Sequence, residues 1–312
     1  MKAAVVYDLQ QGPVYSDMPM PVAAADGTLI SVRAAAISHV VKGRASGKHY
    51  SFDGTLPFVV GIDGTGVTAE GERVYFAFPP SPWGSMAEYA AVSRSHCLPL
   101  PDDLDEVTAA AMANPGMSAW AALVDRAGFR AGETVLINGA TGSAGQLAVQ
   151  IARYLGAKKI VACGRNASIL ASLQADVTVT LTEDNQAQFA ELAAGQIDVV
   201  IDYLWGPSAE QLLAALAKHT PGTTPVRYVQ VGAQAGQEIS LPGAFLRASP
   251  LQLMGSGIGS LSLPQLVAAT GAMLQTAVAG KFTIAHTPVP LADVARAWPL
   301  DDSRQRTVFT LP

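Results

Sequence analysis

The rhythm of apolar and polar positions changes near residue 110. From Met1 to about Ala110 the chain runs in short apolar or alternating stretches broken by Gly, Pro and Asp: KAAVVY, TLISVRAAAI, GTGVTAEGERVYFAF and SMAEYAAV. Stretches of that kind bounded by turn formers predict β-strands. From PGMSAWAAL onward, apolar strands alternate with longer amphipathic stretches: TVLIN, a helix from about Ala144 to Leu155, KIVAC, VTVTL, a helix near Asn185 to Ala194, DVVIDY, a helix near Ser208 to His219, VRYVQVG and LQLMGSG. That alternation predicts βαβ crossovers and a doubly wound parallel sheet, so the fold class is α/β with a second, β-rich domain. After a helix ending at Gly280, the tail returns to strand, short helix and strand, and is expected to fold back onto the first domain. Residues 1–113 with 281–312 then form the β-rich domain and residues 114–280 the α/β domain.

With 312 residues, 49% of them apolar, the chain is long enough for two domains with sizeable cores. The formal net charge is −5 with scattered basic residues, which argues against a nucleic-acid or anionic-membrane partner. The N-terminal apolar run is too short for a signal peptide, and the segment from Leu263 to Ala279 carries Gln265, Thr270 and Gln275, which falls short of a membrane span. A cytoplasmic protein is expected. Cys97 and Cys163, far apart in sequence, support neither a disulfide framework nor a four-thiolate metal site, and read as buried small apolar residues.

The segment TVLINGATGSAGQLAVQIARYLG sets a glycine-rich turn between a strand and a helix. In that context Gly139, Gly142 and Gly145 allow a tight turn, close backbone approach to a pyrophosphate and close helix-to-strand packing. The N–H groups at the helix start, over Ser143 and Ala144, face the anion. In the strict G-x-G-x-x-G register the first position is Ala140; the alternative is a glycine turn that merely joins strand to helix. The next strand ends in Gly164, Arg165 and Asn166, where an NAD site tends to hold a carboxylate for the ribose hydroxyl. An arginine there suits a 2′-phosphate, with Asn166 adding a hydrogen bond, so NADPH is the expected cofactor; a solvated surface arginine is the alternative. Asp202, closing DVVID, has no acid/base partner nearby and is expected to cap a helix or bond backbone N–H groups.

The order of parts resembles the medium-chain dehydrogenase/reductase superfamily over essentially the whole chain, most closely its zinc-free quinone oxidoreductase branch. GKHYSFDGTLPFVVGIDGTG and GSMAEYAAV add specific likeness. The resemblance implies a Rossmann domain and a GroES-like catalytic domain. It assigns the slots of the zinc ligands of alcohol dehydrogenases to Ser38, Ile62 and Asn114, none of them a usual ligand. His39 and His49 lack partner ligands and read as hydrogen-bonded or surface residues, so no metal is expected.

The resemblance also places Ser118 beside the nicotinamide, Val231 and Gly232 near the cofactor ribose, and Gly255, Ser256 and Gly257 near the nicotinamide amide, each glycine being otherwise an ordinary turn. Without zinc as Lewis acid, conjugated acceptors are favoured, because a quinone or enone delocalises the incoming charge onto oxygen. Tyr50 matches the family's tyrosine near nicotinamide and substrate and is the candidate hydrogen-bond donor, with Ser38 the weaker candidate; Tyr50 as a packing residue is the alternative. Trp205 and Phe52 could stack on a flat acceptor or sit in the core. The expected activity is NADPH-dependent reduction of a quinone or α,β-unsaturated carbonyl by a homodimer paired near LQLMGSG. A metal-free alcohol or aldehyde oxidoreductase and an NADPH-binding sensor with little turnover remain open.

Overall fold

The computed structural model describes residues 1–301 and 305–312; residues 302–304, inside the expected return segment, lie outside the described residues. The chain divides into one unit made of Met1–Asn114 with Leu263–Pro312 and another made of Pro115–Ser262.

The first unit begins with β1 (Lys2–Val6), β2 (Val14–Asp17), β3 (Gly27–Ala36), helix α1 (His39–Ala45), β4 (Phe58–Val59), β5 (Asp63–Thr68), β6 (Arg73–Ala77), β7 (Tyr89–Ser93) and β8 (Cys97–Pro99). Helix α2 (Glu106–Trp120) follows. It runs through Pro115, although the missing N–H there removes a helical hydrogen bond, and continues as a wider turn over Ala121–Arg126.

In the second unit, β9 (Thr134–Asn138), α3 (Ser143–Tyr154), β10 (Lys159–Gly164), α4 (Ala167–Ser172), β11 (Val177–Thr180), α5 (Gln186–Ala194), β12 (Val199–Asp202), α6 (Gly206–His219), β13 (Val226–Gln230), α7 (Gly243–Ala248) and β14 (Leu251–Gly255) alternate as the apolar rhythm predicts. Helix α8 (Leu263–Ala277), β15 (His286–Pro290), the short α9 (Val294–Ala297) and β16 (Arg306–Thr310) complete the chain. Helix α8 falls with the first unit, whereas the sequence expectation kept it with the second.

All six strands of the second unit pair in parallel, in the order β11-β10-β9-β12-β13-β14. Strands β9, β10 and β12 are buried along nearly their whole lengths, as strands covered on both faces must be. Leu136, Val161, Phe189, Leu212, Leu216 and Tyr228 form the core around them, each large side chain contributing about 1.5–3 kcal/mol by leaving water. The chain goes from β9 to β10 and β11 on one side, then returns to β12 on the other. That reversal makes the carboxyl ends of β9 and β12 the switch point of the sheet, the position where open α/β sheets take ligands.

The first unit holds a sheet ordered β15-β16-β3-β5-β6-β8, with β7 also on β3, and a smaller sheet ordered β2-β1-β4. Val6, Ile37, Phe58, Met86 and Phe309 are among the residues of one of its cores. No helix among the described residues is long and apolar enough to cross a membrane.

Candidate dinucleotide site and its surroundings

The turn after β9 is fixed by its own backbone. Gly139 has φ +97°, a conformation that side chains resist. The N–H groups of Gly139 and Ala140 both donate to the Cys163 carbonyl, at 2.9 and 2.8 Å, which ties the turn to the end of β10. A Cβ on Gly145 would lie 2.2 Å from the Gly139 oxygen, so helix α3 reaches the turn only because residue 145 has no side chain. Gly142 is the N-cap and makes no side-chain cap. The helix of 12 residues thus presents its positive end behind a cradle of bare backbone, which fits a pyrophosphate.

Strand β10 delivers Gly164, Arg165 and Asn166 beside that cradle. Arg165 is exposed and makes no ion pair among the described residues. Asn166 has work of its own: its Oδ1 accepts from the Ile169 N–H at 3.1 Å and caps α4. Its side-chain oxygen is therefore committed, and only its N–H groups remain for a ligand.

At the end of β12, Asp202 is fully buried and its carboxylate accepts from four donors. Asn138 Nδ2 and the Leu204 N–H reach Oδ1 at 2.9 Å each, and the Tyr228 hydroxyl reaches Oδ2 at 2.7 Å. The Trp205 N–H is shared between both oxygens at 3.2 and 3.3 Å. Burial pushes the Asp202 carboxyl up, against these hydrogen bonds, which favour the anion. The backbone oxygen of Asp202 takes the N–H groups of Val231 and Gly232 at 2.7 and 3.1 Å, bringing that loop to the same edge of the sheet. At β14, Arg126 Nε donates to the Gly255 oxygen at 2.7 Å, and the N–H of Ser256 reaches the Gln230 oxygen at 2.8 Å. Gly257 N–H is held by Ser260 Oγ at 2.8 Å. Ser118, half-buried in α2, gives its hydrogen to the Pro115 oxygen at 2.9 Å. The turn after β9 and the strand ends therefore come together, as the parallel order requires.

In the first unit, Ser38 is buried and caps α1, its Oγ accepting from the Val41 N–H at 3.1 Å. Tyr50 is 72% exposed, and its ring stacks on His49 with centroids 4.3 Å apart. His49 Nδ1 accepts from the Ser51 N–H at 3.2 Å. Ile62 is buried and Asn114 lies within α2. Neither these side chains nor Ser38 offers thiolate or imidazole, and among the described residues no group of three or more His, Cys, Asp or Glu could hold a metal ion. Ser38, Ile62 and Asn114 are not the donors that a zinc centre usually takes. Phe52 packs on Phe58 in the core, and Trp205 packs edge-on against Tyr228. Both are partly buried and pack against the cores of their units. Cys163 is fully buried, whereas Cys97 is only half-buried, short of the burial expected for it; burial pushes the Cys97 thiol up to about 11 and the Cys163 thiol higher still.

A buried charged group escaped the sequence reading. Asp63, 5% exposed, receives the Tyr75 hydroxyl at 3.1 Å near the buried Arg306, whose Nε and Nη2 have no hydrogen-bond partner among the described residues. Burial lifts the Asp63 pKa to about 6, against the opposing pulls of Arg306 and Tyr75. Because the folded value lies above the unfolded one, Asp63 favours folding below about pH 4, and that contribution is lost as pH rises through about 6. At pH 7 the loss amounts to about 3 kcal/mol. Asp63→Asn is expected to remove this pH-dependent component, so the difference in stability between variant and parent changes by that order between pH 4 and 7, read by denaturant unfolding at each pH.

Comparison with known proteins agrees with this architecture. Residues 144–272 match the family model described as zinc-binding dehydrogenase. The chain is 29% identical, over 96% of its length and 96% of the relative's, to a probable NADPH-dependent quinone reductase of Emericella nidulans. It is 28% identical to the 2-methylene-furan-3-one reductase of Solanum lycopersicum, over 88% of this chain and 75% of that one. The quinone oxidoreductase of Thermus thermophilus, solved also in complex with NADPH, superimposes with a TM-score of 0.83 at 27% identity, covering 100% of both chains. With its parallel sheet, glycine turn and β-rich partner unit, the chain resembles the medium-chain dehydrogenase/reductase superfamily, and the matches above support its quinone oxidoreductase branch.

Proposed function

We propose that the protein is an NADPH-dependent, zinc-independent reductase that transfers hydride to a quinone or an α,β-unsaturated carbonyl. The observation that carries the cofactor choice is Arg165: an exposed guanidinium without a carboxylate partner among the described residues, just past the strand whose Cys163 carbonyl anchors the glycine turn. A 2′-phosphate matches its planar fork. The relatives named above reduce quinones or a methylene-furanone by their descriptions, and that chemistry suits a chain whose zinc slots hold Ser38, Ile62 and Asn114.

NADPH, when bound, supplies the hydride. The backbone of residues 139–145 would hold the pyrophosphate, Arg165 the 2′-phosphate, and the loops at Val231, Gly232 and Gly255–Gly257 the nicotinamide end. Tyr50, an exposed phenol, donates a hydrogen bond to the acceptor oxygen as charge develops there. Ser38, already spent on capping α1, is the lesser contributor. Strand β14 forms one edge of the parallel sheet, and the proposed homodimer would pair through it.

The test follows NADPH and NADH oxidation by chelator-treated protein with simple quinones and enones, for the parent and for Arg165→Ala. Losing charge-assisted hydrogen bonds of about 1.5–3 kcal/mol predicts a roughly 10- to 150-fold rise in KM for NADPH, little change in kcat, and unchanged use of NADH. Equal losses with both cofactors would remove Arg165 from the phosphate site. Activity lost to the chelator and restored by zinc would overturn the metal-free reading.

A further inference from the structure

Within the second unit, Tyr203 stands where several candidate cofactor segments meet. Its N–H donates to the Asn138 oxygen at 2.9 Å and its carbonyl accepts from Gln234 at 3.3 Å, so its backbone bridges the turn after β9 and the loop after β13. A Cβ on Gly139 would lie 3.2 Å from the Tyr203 Cβ. The residue is only 9% exposed, and its hydroxyl has no hydrogen-bond partner among the described residues. Ser118 lies close enough to the phenol to act on it, and because it sends its own hydrogen to the Pro115 oxygen, it has only acceptor lone pairs to offer there. Burial raises the phenol's pKa, so this group keeps its proton across the physiological range.

A buried hydroxyl without a partner is costly, on the order of 1–3 kcal/mol. A structural tyrosine at this position would do better as phenylalanine. The phenol offers a donor and the Ser118 oxygen an acceptor, and the pair matches a primary carboxamide, which carries one carbonyl and one NH2 group. We propose that Tyr203 is a cofactor-binding residue that, with Ser118, recognises the carboxamide of the nicotinamide ring. This rests on the NADPH reading above and extends it by naming the group that selects the reactive end of the dinucleotide.

The experiment compares the full-length parent with Tyr203→Phe, by fluorescence or calorimetric titration of NADPH and, separately, of 2′-phospho-ADP-ribose, which lacks the nicotinamide. The expected result is a tenfold or greater rise in Kd for NADPH, an unchanged Kd for 2′-phospho-ADP-ribose, and a higher thermal midpoint for the unliganded variant. Equal loss for both ligands, or no loss for either, would overturn the assignment. So would a lower midpoint without ligand, since it would show that the hydroxyl already has a structural partner. Failure of the parent itself to bind NADPH would instead strike the proposed function, so the two failures are distinguishable.

Discussion

Gly145→Ala is expected to lower NADPH affinity by at least about a hundredfold and to lower the thermal midpoint by several degrees. In an ordinary helix the same change would add up to about 1 kcal/mol of stability. Here the new Cβ meets backbone alone: the Gly139 oxygen at 2.2 Å, the Ala140 Cα at 2.6 Å and the Ala140 carbonyl carbon at 2.9 Å. The turn cannot retreat, because two of its N–H groups are pinned to the Cys163 carbonyl. Either helix α3 moves outward or the turn breaks from β10, and overpacking of this kind costs about 1–3 kcal/mol or more. Gly142→Ala is the internal control, since its Cβ would meet only the Gly139 oxygen, at 3.8 Å. That variant keeps its thermal midpoint and loses only the close approach of a ligand. Thermal unfolding and NADPH titration of the two proteins check the contrast; an unchanged midpoint for Gly145→Ala would mean the packing is looser than these distances require.

The second large effect is expected from Asp202→Ala, a loss of several kcal/mol in unfolding free energy, at about 1–3 kcal/mol for each buried donor left without its acceptor. Removing the carboxylate leaves the Tyr228 hydroxyl, the Asn138 amide and the N–H groups of Leu204 and Trp205 facing an empty, dry space. Trp205 adds to the cost, because its φ of +58° is unusual for a side-chain-bearing residue and its N–H is held by that carboxylate. Against a typical total stability of about 5–15 kcal/mol, the change is severe. Asp202→Asn keeps one acceptor but turns an NH2 group toward donors, so it falls between parent and Ala. Chemical denaturation of all three gives the order; a variant indistinguishable from the parent would show that water replaces the carboxylate at no cost.

The parallel sheet and its glycine turn were legible because their signals are local: apolar runs of strand length, helical spacing, and glycines set between them. Arg165, a candidate for the 2′-phosphate, stands out by an equally local signal, lying just past the strand after the turn. What escaped depends on contacts far apart in the chain. Tyr203 can be read only once the 118, 138 and 234 segments meet it, and Asp63 only once Arg306 returns on β16. The Asp202 carboxylate was expected to bond backbone N–H groups, and it does, but its buried partners Asn138 and Tyr228 lie 64 and 26 residues away. Ser38 and Asn166 had been read for chemistry, yet their side-chain oxygens cap helices, an equally local use of the same residue types. Helix α8 carries an ordinary amphipathic pattern, which does not say which unit its apolar face will join.

The two cysteines bear on a hazard peculiar to the proposed acceptors. Quinones and enones are electrophiles that alkylate thiolates as readily as they accept hydride, so an enzyme that concentrates them risks self-poisoning. Only the ionised sulfur is strongly nucleophilic. With its pKa raised to about 11, Cys97 is ionised in roughly one molecule in ten thousand at pH 7. Cys163, sealed in β10 beneath the phosphate turn, is out of reach of any acceptor while the fold is intact. The chain would thus meet such acceptors with both sulfurs chemically quiet, and the burial of Cys163 under the glycine turn supplies part of that protection.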